Sequence, residues 1–381
     1  MRDSISRARD RLAGIVALGA EVSWDGGRPR MATVEWDSAF LAGLKTPVGL
    51  AMRVGPYPGP FRADDEVART LADVAVSLVA RTRDSGLAVS ELQIDFDCAE
   101  SKLDGYGVWV HPIRQRVAPV PLVITALPSW LNHREFRTLV EAADGFVLQV
   151  HSLERPKGPD APMTLCDPVA ARRATERAGV FGKPFRVALP TYGYRVAFDK
   201  SGKFIGISAE GPAGRWPSDA RVVELRSDPA AMADLVQAWT ADRPMNLTGI
   251  IWYRLPTDRD RLNWRWPTLE CVMSGKRPLP AVRAEIRRPE VGLVKIDLVN
   301  EGQADAPMPP RVRIALGNAD LVAGDALGGF RWRGLVNGFA VIEAPGEEPS
   351  ERLSPGERRV VAWLRLSEDK EVRVEIETVQ P

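Results

Sequence analysis

Asp95 and Asp97 stand two residues apart in the run Glu91-Leu92-Gln93-Ile94-Asp95-Phe96-Asp97-Cys98-Ala99-Glu100. A β-strand alternates its side chains between two faces, so Leu92, Ile94 and Phe96 share an apolar face and Gln93, Asp95 and Asp97 the opposite one. Two carboxylates on one face of an otherwise apolar strand are costly unless something compensates them. A cation would make the pair a structural salt bridge. The other reason to keep it is a site that needs two acids of unequal pKa. In glycoside hydrolysis one carboxyl protonates the leaving oxygen, and a second group stabilises or traps the oxocarbenium-like centre. Asp97, nearest the strand end, is the candidate acid. Asp95, one inward position deeper, is placed to raise its neighbour's pKa and share a proton with it. Glu21 or Glu100 is the candidate partner carboxylate.

Other chemistries find less support. There is no GxSxG elbow and no HExxH or similar metal pattern. The histidines are only His111, His133 and His151, and Cys98, Cys166 and Cys271 are far apart, so neither a metal centre nor a disulfide framework is expected, and no cofactor. A net charge of +1, with basic and acidic residues interspersed, argues against a nucleic-acid or polyanion partner. The N-terminal stretch Met1–Leu12 is charged and helical in pattern. It has no apolar core of signal-peptide length, and no later stretch is long enough to span a bilayer, so the chain taken literally reads as soluble and cytoplasmic.

The elements that must position these residues follow from periodicity. Two domains are the expectation for 381 residues. From residue 13 to about 270, short apolar strands alternate with amphipathic helices. Strands are expected at Ile15–Trp24, Pro47–Val54, Leu92–Asp97, Leu122–Leu127, Phe146–His151, Phe185–Pro190 and Leu247–Tyr253. Helices are expected at Asp64–Asp84, Gly105–Arg116, Arg134–Ala143, Pro168–Ala178 and Pro229–Ala241, with an excursion over 197–222 that contains the turn Asp199-Lys-Ser-Gly202. Repeated strand–helix units mean a parallel sheet covered by helices, and seven strands are one short of a TIM (β/α)8 barrel. Residues 1–275 are therefore expected to be a TIM-like barrel whose first strand lies upstream of this chain. An open doubly wound sheet is the competing architecture, and the lack of a GxGxxG or P-loop signature counts against its nucleotide-binding forms. Around Ser274–Pro280 the helical period stops. Residues 281–381 show period-two runs at Val291–Val299, Val312–Leu316, Phe339–Ile342, Arg359–Leu366 and Val372–Thr378, which read as an antiparallel β-sandwich without tyrosine or histidine.

In such a barrel the chemistry sits where strands end. Ala17, Gly19, Glu21 and Ser23 form one face of the first strand, with Trp24 at its end. Arg53 should point inward with Ala51, ahead of the rigid loop Gly55-Pro-Tyr57-Pro-Gly-Pro60. Trp130 follows the fourth strand, Gln149 and His151 share a face of the fifth, Tyr192 and Tyr194 follow the sixth, and Trp252 and Tyr253 end the last. Trp and Tyr faces stack on sugar rings, and Asp, Glu, Arg, Gln and His hydrogen-bond to hydroxyls. Singly, each has a plain reading: Glu21 paired with Arg53, His151 in the core, Trp252 capping the barrel. Together they describe a groove for an oligo- or polysaccharide, with Tyr192, Tyr194 and Gln149 positioning it.

The runs Leu92-Gln-Ile-Asp-Phe-Asp97, Val123-Ile-Thr-Ala-Leu-Pro-Ser-Trp-Leu131 and Phe146-Val-Leu-Gln-Val-His151, with Tyr106, resemble the bacterial family called domain of unknown function 3142. The resemblance covers most of the chain. It implies a TIM barrel related to glycoside hydrolases, with no settled activity, and an exported or lipoprotein location, because members usually begin with an export signal and an aromatic-rich first strand. The strand carrying Asp95 and Asp97 is also similar to the chitinase-type signature of glycoside hydrolase family 18, where alternating aspartates lead to a glutamate acid. That glutamate would fall at Ala99, and Glu100 is one residue off register. The expected function is a glycoside hydrolase acting on a bacterial polysaccharide or glycan, with Asp97 or Glu100 as acid. A barrel that binds glycans without cleaving them and a cell-envelope structural or assembly factor are the alternatives.

Overall fold

Two rhythms in the sequence, helical over its first part and period-two over its last, become two kinds of architecture in a computed structural model. It describes residues 2–25, 28–44, 46–210, 216–344 and 352–377. In chain order the first part holds α1 (Arg2–Ala8), β1 (Ile15–Asp25), β2 (Arg28–Thr33), α2 (Ser38–Gly43), β3 (Val48–Val54), α3 (Glu66–Asp84), β4 (Val89–Phe96), α4 (Leu103–Val117), β5 (Leu122–Ala126), α5 (Arg134–Ala142) and β6 (Gly145–Gln149). Then come α6 (Pro168–Ala178), β7 (Phe185–Pro190), β8 (Gly193–Phe198), β9 (Phe204–Ser208), β10 (Arg221–Arg226), α7 (Pro229–Ala241), β11 (Leu247–Tyr253) and α8 (Trp266–Met273). By contacts the chain divides into Met1–Asp228 with Ala238–Trp264, and Pro229–Gln237 with Arg265–Pro381.

The first unit is built on an eight-stranded sheet in the order β11-β7-β6-β5-β4-β3-β1-β2. Every neighbouring pair is parallel except β1 and β2, which form a hairpin from Ala20↔Thr33 to Asp25↔Arg28. The seven parallel strands are those the sequence predicts. β2 is an addition: its residues are almost all exposed, so it lacks the apolar alternation that marks a strand and exists through its pairing with β1. Among the described residues no ladder joins β11 to β2.

Local chemistry starts the helices where the pattern places them. The Asp65 carboxylate accepts the amide of Ala68 at 2.8 Å and opens α3, whose Val67, Leu71, Val74 and Leu78 are all buried. Asp167 caps α6 ahead of Pro168. On β4, Leu92, Ile94 and Phe96 are buried, and the Phe96 ring packs on Tyr106 and Trp109 of α4 at 5.1 and 5.6 Å. That packing fixes which way β4 faces and leaves Gln93, Asp95 and Asp97 on the opposite side of the sheet.

One strand departs from simple alternation. A bulge at Gly19 breaks the β1–β3 register between Leu18↔Ala51 and Ala20↔Met52. A Cβ at Gly19 would come within 2.6 Å of a Leu78 methyl, so a larger residue there would need Leu78 of α3 to shift. The bulge turns both Gly19 and Ala20 inward, and Leu18, rather than Gly19, shares the exposed face with Glu21 and Ser23.

The expected excursion forms a small sheet in the order β10-β8-β9, of which 211–215 lie outside the described residues. Its turn is held by the Asp199 carboxylate, which accepts the amides of Ser201 and Lys203 at 2.8 and 3.0 Å.

The second unit contains α8 and two four-stranded antiparallel sheets. One runs Val282–Glu290, Leu293–Asn300, Arg358–Leu366, Leu321–Ala326; the other runs Arg331–Val336, Phe339–Glu343, Arg311–Ala315, Arg373–Glu377. They share one core that includes Val294, Ile296, Leu298, Ile314, Ile342 and Leu364. The expected strand Val372–Thr378 is present as Arg373–Glu377, and Thr378 lies outside the described residues.

Candidate functional site

Strand register lines up the acidic doublet with its neighbours. Glu21 on β1 pairs with Arg53 on β3, and Arg53 with Asp95 on β4, a row across three parallel strands. The row continues onto β5, where the Thr125 hydroxyl (Oγ1) donates to Asp95 Oδ1 at 3.0 Å. Asp95 is half-buried, and burial lifts its carboxyl above the usual carboxylate range. The Asp97 charge pushes in the same direction, while the Thr125 hydrogen bond and the Arg53 charge oppose it. Asp97 itself is exposed just past the end of β4. Deeper on the same face, Glu91 is paired with Arg186 through two 2.7 Å contacts, and Gln93 donates to it at 2.6 Å. The cation that would make this strand purely structural is therefore engaged at Glu91. Among the described residues no salt bridge reaches Asp95 or Asp97.

A second wall comes from β6, β8 and β11. Gln149 Nε2 donates to the His151 carbonyl at 3.3 Å, and His151 Nδ1 lies 3.1 Å from the Tyr192 hydroxyl. Tyr253 stacks on the His151 ring at 5.4 Å and meets Tyr192 edge-on at 5.6 Å; Tyr194 meets Tyr192 edge-on at 5.2 Å. His151 is only 4% exposed, and burial lowers its pKa to about 4, so the ring is neutral at neutral pH. Burial raises the Tyr192 and Tyr253 hydroxyls, which keeps both protonated. The charges of Arg53 and Asp95 both reach Tyr253, one lowering and the other raising its pKa.

The other predicted residues lie elsewhere. Trp252 alternates away from Tyr253: it pairs with buried Leu189 and sits 6.2 Å from Trp264. Trp130 is 1% exposed between Tyr106 and Phe136, so its ring is committed to packing. Trp24 donates to the Gly55 carbonyl at 3.2 Å and packs at 4.6 Å on Tyr57, which in turn lies 5.2 Å from Trp109; this pair seats the Gly55–Pro60 loop. Glu21, by contrast, stays in the row beside Arg53, exposed and four residues before the end of β1. Glu100 begins a short 3-10 turn, and its carboxylate bonds to the Ser129 hydroxyl and to His133 Nε2 at 2.9 Å, which together hold it below the usual range. It belongs to a cleft of about 590 Å3, lined also by Cys98, Leu127, Ser129, His133 and the otherwise buried Trp130.

Thr125 was not singled out as a site residue from sequence. The signal was present: it is the one hydroxyl near the end of the otherwise apolar strand Leu122-Val-Ile-Thr-Ala126, beside the strand that carries Asp95. Among the described residues no three His, Cys, Asp or Glu side chains cluster as a metal site requires, and no helix is long and apolar enough to cross a membrane.

Residues 61–258, more than half of the 381, match the family described as Domain of unknown function (DUF3142). The chain belongs to this family. Residues 284–367 match a second, Domain of unknown function (DUF8456). No curated protein matches the sequence. Among solved structures the chain is similar to the C-terminal domain of a candidate chitinase from Desulfitobacterium hafniense DCB-2, with TM-score 0.50, 11% identity and coverage of 71% of this chain and 93% of that one. It is also similar to the chitinase of Chromobacterium violaceum ATCC 12472 (TM-score 0.49, 14% identity, 72% and 94% covered). A third likeness is to the Bacillus megaterium QM B1551 spore cortex-lytic enzyme SleL (TM-score 0.49, 14% identity, 72% and 69% covered). The likeness to the D. hafniense domain is one of fold.

Proposed function

We propose that this DUF3142 chain is a glycan-active barrel protein of the glycoside hydrolase type, carrying a C-terminal β-sandwich as accessory domain. Seven parallel strands in sequential order support a (β/α)8-type barrel with one parallel strand fewer, its opening between β11 and the β1–β2 hairpin. The site then sits at the C-terminal ends of the strands, where barrel enzymes hold their chemistry. Fold likeness to a candidate chitinase domain supports a carbohydrate ligand.

The observation that carries this reading is Asp95. Its carboxyl is raised by burial, is held by the Thr125 hydroxyl instead of a salt bridge, and its charge reaches Tyr253. A carboxyl that keeps its proton to higher pH is what protonation of a glycosidic oxygen needs. The sequence makes Asp97 the candidate acid; this reading moves that role to Asp95 and leaves Asp97, two residues on and open to solvent, to meet the substrate first. Gln149, Tyr192, Tyr194 and Tyr253 orient the sugar by hydrogen bonds and ring stacking.

The test is release of reducing ends from a broad panel of oligosaccharides. Asp95→Asn and Asp97→Asn should each abolish turnover while leaving oligosaccharide binding intact. If both variants bind and turn over like wild type, the hydrolase reading fails. One feature favours a non-catalytic, glycan-binding alternative: Ala99 stands where a chitinase-type glutamate would be, and Glu100 is turned into its own cleft with His133. Wild type that binds oligosaccharide and never releases product would establish that alternative.

A further inference from the structure

Arg53 stands among acids and makes a direct bond to none of them. It is exposed at the centre of the Glu21–Arg53–Asp95 row, and among the described residues it makes no hydrogen bond and no ion pair. Both in-register neighbours are acids, so a guanidinium wanted only for neutralisation had two carboxylates to take. It takes neither. Asp95 is bonded to Thr125 instead, and Arg186 on the same side of the sheet is fully engaged with Glu91.

The groups facing Arg53 do not need a cation. The Tyr253 hydroxyl is kept protonated, and its ring rests on neutral His151. The Arg53 charge reaches both Tyr253, whose hydroxyl is a donor, and Asp95, which already receives the Thr125 hydrogen bond. Sugar hydroxyls donate and accept equally, so Gln149 and the tyrosines suffice for a neutral ring. A planar fork of N–H donors left open matches a carboxylate, which it grips through two parallel hydrogen bonds.

We propose that the glycan taken by this site is acidic, and that Arg53 binds a carboxylate on the sugar next to the one facing Asp95. The inference rests on the glycan reading above and narrows its substrate class. Two kinds of sugar carry such a group: uronates, and amino sugars bearing a lactyl ether.

Three tetrasaccharides of similar size separate the cases in calorimetric titration of the full chain. One alternates N-acetylglucosamine with N-acetylmuramate, one is a hyaluronan tetrasaccharide with glucuronate, and one is neutral chitotetraose. One of the acidic ligands should bind at least about tenfold tighter than chitotetraose, as expected for a charge-assisted bidentate contact. Which one does so tells the lactyl from the uronate source. Arg53→Gln should erase the preference without moving the thermal midpoint, and Arg53→Lys should keep part of it. Chitotetraose binding as tightly as both acidic ligands, or a preference that survives Arg53→Gln, overturns the inference and leaves the glycan reading standing. If none of the three binds, the inference and the glycan reading fall together.

Discussion

Two carboxylates on strands of this chain, Asp95 and Asp297, meet opposite fates. Asp297 in the second unit is fully buried and clamped by two arginines: Arg287 at 2.6 and 2.9 Å and Arg358 at 3.0 Å. The Arg287 hydrogen bond, backed by Arg358, holds its carboxyl below the usual range despite burial. Asp95 in the first unit has its carboxyl raised, burial being the largest cause, with only the Thr125 hydroxyl and the Arg53 charge opposing it. The partners separate the two acids: arginines close around Asp297, whereas among the described residues Asp95 is bonded to a hydroxyl and Arg53 makes no ion pair with it.

The largest test of that contrast is catalytic. Asp95→Asn should lower turnover by about a hundredfold or more, the scale of a positioned proton donor, while Asp297→Asn leaves turnover unchanged. Equal losses from both would mean that Asp95 acts through folding. The stability effects should run the other way. Asp297→Asn leaves two arginines without their shared acid and should cost about 3 kcal/mol in chemical denaturation, near the low end for a broken buried pair because both arginines are partly exposed.

Acidification separates further groups by sign. His151 has a folded pKa near 4 against 6.5 for a free imidazole, so the stability it contributes is complete above pH 6.5 and is lost as pH falls toward 4. That loss amounts to at most about 3 kcal/mol, and a variant with glutamine at 151 should lack it in pH-dependent melts. Asp297, with a depressed pKa, contributes stability above 3.8 that disappears as pH falls through its lower folded value. Asp95 does the reverse: its contribution is complete below 3.8 and is lost as pH rises through the raised folded value, so Asp95→Asn should stabilise the chain more at pH 7 than at pH 4. The smallest effect belongs to Thr125→Val. Losing the hydroxyl that lowers the Asp95 pKa should move the pH–activity limb governed by Asp95 to higher pH, with about 1 kcal/mol behind it.

Much of this contrast was legible in the chain. Parallel strands buried on both sides must be apolar runs, so all seven stand out, and alternation on β4 places Asp95 and Asp97 on one face as soon as Leu92, Ile94 and Phe96 are given to the core. Strands made by pairing rather than burial were not legible. β2 and Arg331–Val336 are mostly exposed and Leu321–Ala326 has no fully buried residue, and the last two strands are interrupted by Gly334 and Gly324. At the site, an aromatic at a strand end does not announce which way it turns. Trp130 and Trp252 face packed neighbours, whereas Tyr253 faces the open side. Nor does sequence spacing reveal that a single 3-10 turn swings Glu100 away to His133.

The most direct measurement is a carbon-13 NMR titration of the aspartate carboxyls, with Asp95 and Asp297 assigned through their asparagine variants. We expect Asp95 to titrate above 3.8 and to shift when an oligosaccharide is added, and Asp297 to titrate below 3.8 and ignore it. An Asp95 that titrates at or below 3.8 and is blind to every glycan would contradict the reading of an uncompensated acid facing an open site.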